Sequence, residues 1–201
     1  MQDQPALPKL TLTVHHQDLP FYTTLLQSGV EIKGSSNETM AQFLNRLPGF
    51  TMDYVSDTVQ TLFLNGTAVD DLTTLLGTGT PVLAISAAMP GLAGAIFRRN
   101  SFHAALRTST ENVIATGKKP ETILVTLKLF NSIALERGTE LFEMGLCIKT
   151  LSFINFLAKR KSLFEKIIQA KLSNRLINKE DLDMLLAEKE KINLKITKAH
   201  G

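Results

Sequence analysis

Residues 61–94 decide the fold expected of this chain, and they read TLFLNGTAVDDLTTLLGTGTPVLAISAAMPGLAG. An apolar run at residues 61–64 is followed by Asn65-Gly66, and both of these residues tolerate the positive φ of a two-residue hairpin turn. Two further glycines then precede a second apolar run at residues 81–85. The stretch therefore predicts a strand, a tight turn, an acidic patch, a glycine loop and a final strand.

The residues before this stretch predict a strand pair and one helix. Residues 10–14 alternate apolar and polar side chains, and residues 21–32 form another extended candidate, so the two would make a first hairpin. Apolar residues then recur at the spacing of one helical face before Pro48-Gly49 ends the pattern. These residues are Met40, Phe43, Leu44 and Leu47. The predicted order is β-β-α-β-β.

The rest of the chain predicts helices. Pro120 suits a first helical position, and an apolar stripe runs from Ile123 to Ala134. Further helices are expected over residues 139–157 and 163–172, and Asn178 can cap a last helix with Ile192 on its apolar side. We find no internal repeat in the sequence.

Charge divides at the same place as this change of pattern. Residues 1–97 carry a formal charge of −5, whereas residues 98–201 carry +8. We therefore predict an α+β protein with an N-terminal domain at residues 1–97 and a C-terminal helical domain at residues 98–201, joined by a basic junction.

Composition is typical of an ordinary folded protein. The chain has 201 residues, 44% of them apolar, and a net charge of +3. The single cysteine, Cys147, excludes an intramolecular disulfide and a four-thiolate zinc site. The first residues lack a signal-peptide pattern, so we expect a cytoplasmic protein. We expect no cofactor.

The N-terminal part resembles the ubiquitin-like β-grasp sulfur-carrier proteins of molybdopterin and thiamin synthesis (ThiS/MoaD-like). The resemblance covers residues 10–94 and rests on the order of several short motifs along the chain. They are Leu47-Pro48-Gly49, Phe63-Leu64-Asn65-Gly66, Val69-Asp70-Asp71, Gly77-Thr78-Gly79 and the strand Val82 to Ile85. It implies a β-grasp domain for this part of the chain.

The resemblance also implies a processing site. Carriers of that family end in Gly-Gly, whose terminal carboxylate is adenylated and converted to a thiocarboxylate. Here Gly91 and Gly94 are separated, and the chain continues to residue 201. Sulfur carriage would therefore require cleavage that exposes Gly91 or Gly94.

The best candidate site lies directly after these glycines. Arg98, Arg99, Ser101, His103 and Arg107 concentrate cationic and hydrogen-bonding groups there. If Ser101 begins a helix, its free backbone amides and the arginines could bind phosphate or carboxylate, or a protein partner. The alternative is a seam between domains in which the arginines meet two aspartates or lie solvated. The two aspartates are Asp70 and Asp71.

Other motifs favour structural roles. Residues 116–119 lack the first glycine and the Ser/Thr of a phosphate loop, which favours a connecting loop. His15-His16 would point to opposite faces of a strand, and no neighbouring cluster completes a metal site. Cys147 lies in an apolar pattern typical of a buried, inert thiol. We identify no catalytic residue and no metal ligand.

Two further interpretations concern basic and apolar surfaces. A line of cations in the second half could follow phosphates, but interspersed acids and the absence of a reading motif argue against nucleic acid. These cations are Lys159, Arg160, Lys161, Lys166, Lys171 and Arg175. The uncharged stretch 72–97 resembles part of a membrane span, yet its glycine, threonine and proline content favours a folded core.

The sequence therefore predicts a non-catalytic binding or adaptor protein. Its expected partners are another protein, a further copy of itself or a small anionic ligand. Sulfur carriage after cleavage and nucleic-acid binding through the basic second half are the two alternatives.

Overall fold

The structure is a computed structural model that describes residues 7–107 and 119–199. The first part of the chain contains five strands, three α-helices and two 3-10 helices. In chain order these are β1 Lys9–Val14, the 3-10 helix His16–Gln27, β2 Val30–Ser35, α1 Met40–Asn45, α2 Met52–Asp57, β3 Thr61–Leu64, β4 Thr67–Ala68, β5 Val82–Ser86, α3 Gly91–Phe97 and the 3-10 helix Phe102–Leu106.

The second part contains five more strands. In chain order its elements are β6 Thr122–Phe130, α4 Asn131–Met144, β7 Leu146–Lys149, α5 Thr150–Ala158, α6 Lys161–Glu165, β8 Gln169–Leu172, β9 Arg175–Ile177, the 3-10 helix Lys179–Asp181, α7 Leu182–Leu186 and β10 Lys191–Lys198.

All ten strands form one mixed sheet, with the order β4-β3-β5-β6-β2-β7-β10-β1-β8-β9. Strands from the two segments are interleaved: β6 of residues 98–201 lies between β5 and β2, and β1 of residues 1–97 lies between β10 and β8. The pairs β5–β6 and β1–β10 are parallel. The predicted fold, a small N-terminal β-grasp domain followed by a separate helical domain, is therefore wrong.

The predicted helices of the second half are partly strands. Ile123, Val125, Leu127 and Leu129 are buried in alternation along β6, so one face of the strand packs into the core. A short apolar run fits a helical stripe as well as an alternating strand, and periodicity alone does not separate them. Here the segment forms a strand because its alternating apolar residues are buried on one face of the sheet. The same holds for β7 and β10.

The predicted first hairpin is also wrong. Residues 16–27 form a 3-10 helix between β1 and β2. β1 pairs with β10 and β8, and β2 pairs with β6 and β7. A connection twelve residues long can carry the chain across several strands, which a tight turn cannot do.

Local predictions around residues 40–86 are confirmed. Asn65 and Gly66 have φ angles of 51° and 84°, and they join β3 to β4 as an antiparallel hairpin. The helix α1 begins after Thr39, whose side chain accepts from the backbone N–H of Gln42 in a capping box. Its predicted stripe is buried. The final predicted strand is β5.

The two halves of the sheet repeat the same pairing pattern about the central β2–β7 pair. From β2 outward, the pairs β2–β6, β6–β5, β5–β3 and β3–β4 are antiparallel, parallel, antiparallel and antiparallel. From β7 outward, the pairs β7–β10, β10–β1, β1–β8 and β8–β9 follow the same series. The sequence repeats as well: residues 29–33 read GVEIK and residues 145–149 read GLCIK, while residues 71–76 read DLTTLL and residues 181–186 read DLDMLL. The structure therefore has an internal repeat of strand pairing, which was not expected from the sequence.

The turns agree with this repeat of strand pairing. Ser173 and Asn174, between β8 and β9, have φ angles of 48° and 68°, close to those of Asn65 and Gly66 in the first half. Both turns place two consecutive residues in the left-handed region, as a type I′ hairpin requires. Because Ser and Asn replace Asn and Gly, the repeat is hidden from a search for identical residues.

The core lies between one face of the sheet and the helices. Tyr22, Phe142 and Phe153 are fully buried there, and the Tyr22 hydroxyl donates to the Leu163 carbonyl at 3.3 Å. Buried aromatic side chains of this size dominate core energetics. On the opposite face of the sheet, α3 packs at the end that contains β3. There the ring centres of Phe97 and Phe63 lie 5.3 Å apart.

Gly138 lets α4 pack closely on the 3-10 helix His16–Gln27. A Cβ atom at this position would lie 2.7 Å from Thr23 Cγ2 and 2.8 Å from Leu26 Cδ1. Both neighbours are buried, so neither can move without disturbing the core.

Gly138→Val should lower the free energy of unfolding by about 1–3 kcal/mol, because overpacking forces side chains off their rotamers. Urea unfolding measures this. The control is Leu135→Val at an exposed position of the same helix, which should change stability by less than about 0.5 kcal/mol. Equal stability of the two variants would contradict the close approach.

Candidate functional site

Between β6 and β9 in the strand order, one face of the sheet carries no buried residue, and seven lysines lie on this face. We call this the lysine face, and its members are Lys9, Lys33, Lys128, Lys149, Lys171, Lys191 and Lys195. The strand registers place them on one side: Thr11 lies opposite both Lys195 and Lys171, and Lys191 lies opposite Lys149. Successive strand residues point to opposite faces, so the alternating apolar residues enter the core.

The lysine face concentrates positive charge. Glu31 is the one acidic residue within the ten described strands. Seven lysines and one glutamate give this face a formal charge of +6, whereas the whole chain carries +3, so all other residues together carry −3. The molecule is therefore strongly polarised, and a surface of one sign attracts ligands of the opposite sign.

Polar uncharged side chains lie between the lysines. Thr11, Thr126, Asn193 and Thr197 are partly exposed on the same face. Hydroxyl and amide groups hydrogen-bond phosphate and carboxylate oxygens, so they complement the lysine charges in holding an oxyanion.

Glu31 lies at the centre of the sheet, opposite Cys147 across the β2–β7 pair. Lys191 Nζ donates to Glu31 Oε2 at 2.8 Å, and the Cys147 thiol lies 3.6 Å from the same oxygen. The hydrogen bond to Glu31 raises the pKa of Lys191 above its usual value. Lys191 is therefore firmly charged, although its charge is largely balanced.

The environment of Cys147 suppresses thiol chemistry. Burial, followed by the neighbouring Glu31 carboxylate, raises the pKa of Cys147 to about 11. The thiolate is the nucleophilic form, and a group with this pKa stays protonated at neutral pH. This agrees with the expectation of an inert thiol, although the side chain is partly exposed rather than fully buried.

The junction residues predicted as a site are largely engaged within the protein. Arg99 donates to the carbonyls of Val55 and Val59 at 3.1 and 3.0 Å, and burial lowers the pKa of its guanidinium. Arg107 forms a salt bridge with Asp70. Asp70 also accepts from the backbone N–H of Asn100 at 2.9 Å. Arg107 therefore meets an aspartate, but the expected seam between two separate domains is wrong because all ten strands form one sheet.

The other junction residues have smaller roles. The Ser101 hydroxyl donates to the Ala95 carbonyl, and Ser101 Oγ accepts from the His103 backbone N–H at 3.0 Å. Arg98 and His103 are exposed beside a shallow cavity next to Phe102. Two of the five predicted residues thus keep free cationic or imidazole groups at the surface.

The remaining sequence candidates lie apart from one another. Gly91 begins α3, and Gly94 is buried within it. Asp71 accepts from the Thr73 hydroxyl at 2.7 Å and from its backbone N–H, and these bonds lower the pKa of Asp71. His15 and His16 are exposed at the start of the first 3-10 helix. Within residues 116–119, residues 116–118 lie outside the described residues.

The described ranges, residues 7–107 and 119–199, contain no group of three His, Cys, Asp or Glu side chains close enough to hold a metal ion. Over the same ranges, no helix has both the length and the apolar character that a membrane crossing requires.

The sequence interpretation missed the lysine face because the lysines are scattered along the chain. The signal was strand alternation, as in residues 191–198, KINLKITK, where charged or polar residues alternate with buried ones. Residues 29–33 and 145–149 carry the same signal twice, each ending in a lysine. Assigning the second half to helices placed these lysines on different surfaces.

Iodoacetamide should react with Cys147 at least about tenfold more slowly than with free cysteine at pH 8, because only about one thiol in a thousand is ionised there. Glu31→Gln removes a negative charge that raises this pKa, so alkylation should become about threefold faster or more. Cys147 is the one cysteine of the chain, so intact mass reports it alone.

The matched control is Glu190→Gln, which removes an acidic residue whose charge acts on Lys191. Its alkylation rate should equal that of the unchanged protein. Alkylation of the unchanged protein as fast as free cysteine would contradict the assigned environment.

Comparison with models of protein families, with curated proteins and with solved structures finds no match to this chain.

Proposed function

We propose that this protein is a non-catalytic binding protein whose lysine face holds a nucleic acid strand through its phosphates. The observation that supports the proposal is the ratio of seven lysines to one glutamate on a single accessible face of the sheet. Phosphate contacts from lysine supply most of the affinity in binding that does not depend on base sequence.

The dimensions of the lysine face suit an extended polyanion. Its lysines run from β6 to β8, across six neighbouring strands, and at about 4.8 Å per strand the six span roughly 24 Å. Each strand of a B-form duplex has one phosphate per about 3.4 Å of helix axis, and at that spacing roughly seven phosphates fit over the length. A single phosphate or a small metabolite would engage a small part of this surface.

The charge distribution is unfavourable for the protein alone. Lys191 and Lys149 are directly opposite each other on neighbouring strands, and like charges in such pairs are destabilising. Glu31 balances Lys191, whereas the exposed Lys33 and Lys149 form no ion pair with any described residue. A bound polyanion would relieve this repulsion, which favours a binding role for the face.

Base recognition is not expected. Phe63 lies on the same side of the sheet, but the ring of Phe97 packs 5.3 Å from it between centres. Proteins that read single strands usually stack bases on open aromatic rings. Binding is therefore expected to depend strongly on salt and weakly on sequence.

The composition of the face favours nucleic acid over a lipid surface. Membrane-binding surfaces combine cations with large exposed apolar residues that enter the headgroup region. Among the strand residues of the lysine face, Leu176 at the β9 edge is the one large apolar residue with a mostly exposed side chain. Sulfur carriage after cleavage at Gly91 or Gly94 stays a prediction.

The test is fluorescence anisotropy with a labelled 20-nucleotide single-stranded DNA over a range of KCl concentrations. Lys33→Gln with Lys149→Gln should weaken binding about tenfold or more and reduce the slope of log K against log salt by about 1 to 2, because two phosphate contacts are lost. Both side chains are exposed, so the fold should be unaffected.

The control is Lys159→Gln with Lys161→Gln, which removes the same charge from exposed positions in the helical layer. It should leave the affinity within about twofold. The proposal fails if the unchanged protein does not bind the oligonucleotide at 50 mM KCl, or if both double variants lose the same affinity. Binding to phosphatidylserine vesicles without oligonucleotide binding would indicate a membrane surface instead.

A further inference from the structure

We infer that a cleft on the helical side of the molecule binds a small anionic amphiphile, an organic carboxylate or sulfonate with an apolar body. The cleft lies between the 3-10 helix His16–Gln27, α4 and α6, and its volume is about 370 Å³. This is within the range of small-molecule sites. The residues used in the argument are Phe21, Leu135, Arg160, Ser162 and Lys166.

The apolar walls of the cleft are unusually accessible. Phe21 is 58% exposed and Leu135 is 57% exposed, and they come from different helices. Apolar surface left in water gains free energy when a ligand covers it, roughly in proportion to the area removed from water. A ligand with an apolar body would cover both side chains at once, so the cleft offers a hydrophobic driving force.

The polar lining selects for negative charge. The Arg160 guanidinium lies 4.3 Å from the centre of the Phe156 ring, which holds it in place. It forms no salt bridge with a carboxylate of the described residues. The Ser162 hydroxyl lines the same cleft and supplies a further hydrogen-bond donor.

Lys166 adds a positioned cation beside this arginine. Its Nζ lies 2.7 Å from Asp18 Oδ1, and Asp18 is 1% exposed. The Lys166 side chain is 49% exposed and lines the cleft, and its Nζ lies 5.8 Å from the centre of the Phe21 ring. With Asp18 counted, the site retains one uncompensated positive charge, which favours a monoanion.

The cleft and the lysine face are independent sites. The helices that form the cleft pack on the buried face of the sheet, and the lysines lie on the opposite face. The cleft differs also in ligand class, because its apolar walls favour an organic anion over a phosphate chain.

The experiment uses the fluorescent probe 8-anilinonaphthalene-1-sulfonate and its uncharged relative N-phenyl-1-naphthylamine with the full chain. Arg160→Gln should weaken sulfonate binding about tenfold and leave binding of the uncharged probe within about twofold. Phe21→Ala should weaken binding of both probes about fivefold or more. Decanoate should displace the sulfonate probe.

The matched control is Lys161→Gln, one residue along from Arg160 at an exposed position outside the cleft lining. Sulfonate affinity should then stay within about twofold. Leu135→Ser is a second variant that removes an apolar side chain from the cleft. Thermal unfolding, followed by circular dichroism, identifies any variant that fails to fold. The inference is overturned if folded Phe21→Ala and Leu135→Ser both bind the probes unchanged, or if Lys161→Gln weakens the sulfonate probe as much as Arg160→Gln.

Discussion

Parallel pairing between β1 and β10 is the constraint on which the rest of the structure depends. It joins residues 9–14 to residues 193–198 and thereby places the first strand of the chain between β10 and β8, among the strands of the second part of the chain. The parallel β5–β6 pair is its counterpart in the first half. Each half of the sheet therefore contains one strand from the other part of the chain, β6 in one half and β1 in the other. Neither part of the chain can complete its half of the sheet and bury its apolar face alone.

One-sided burial follows from this arrangement. Apart from α3 at one end, the helices cover one face of the sheet. The alternating side chains place apolar residues beneath these helices and lysines on the other side. Glu31 is the sole acidic residue of the described strands, and it lies beside Lys191 near the centre. The resulting field is a property of the assembled sheet, since each strand contributes one or two lysines at most.

Two similar strands meet at the centre of the repeated pairing pattern. Residues 29–33 and 145–149 share Gly, Ile and Lys at matched positions, and each is preceded by a helix and followed by two short helices. The two strands differ at their midpoint, where Glu31 faces Cys147. The basic junction predicted as a site instead contributes contacts within the protein, through Arg99 and Arg107.

The sequence by itself determined the features that depend on near neighbours. The Asn65-Gly66 turn follows from backbone freedom, and α1 follows from its apolar stripe and the stop at Pro48-Gly49. Only the tertiary structure decided that residues 122–130 form a strand, because their apolar spacing fits a helix equally well and a sheet had to be present for them to join. It also decided the strand order and the lysine face, since both depend on pairing between residues more than a hundred positions apart.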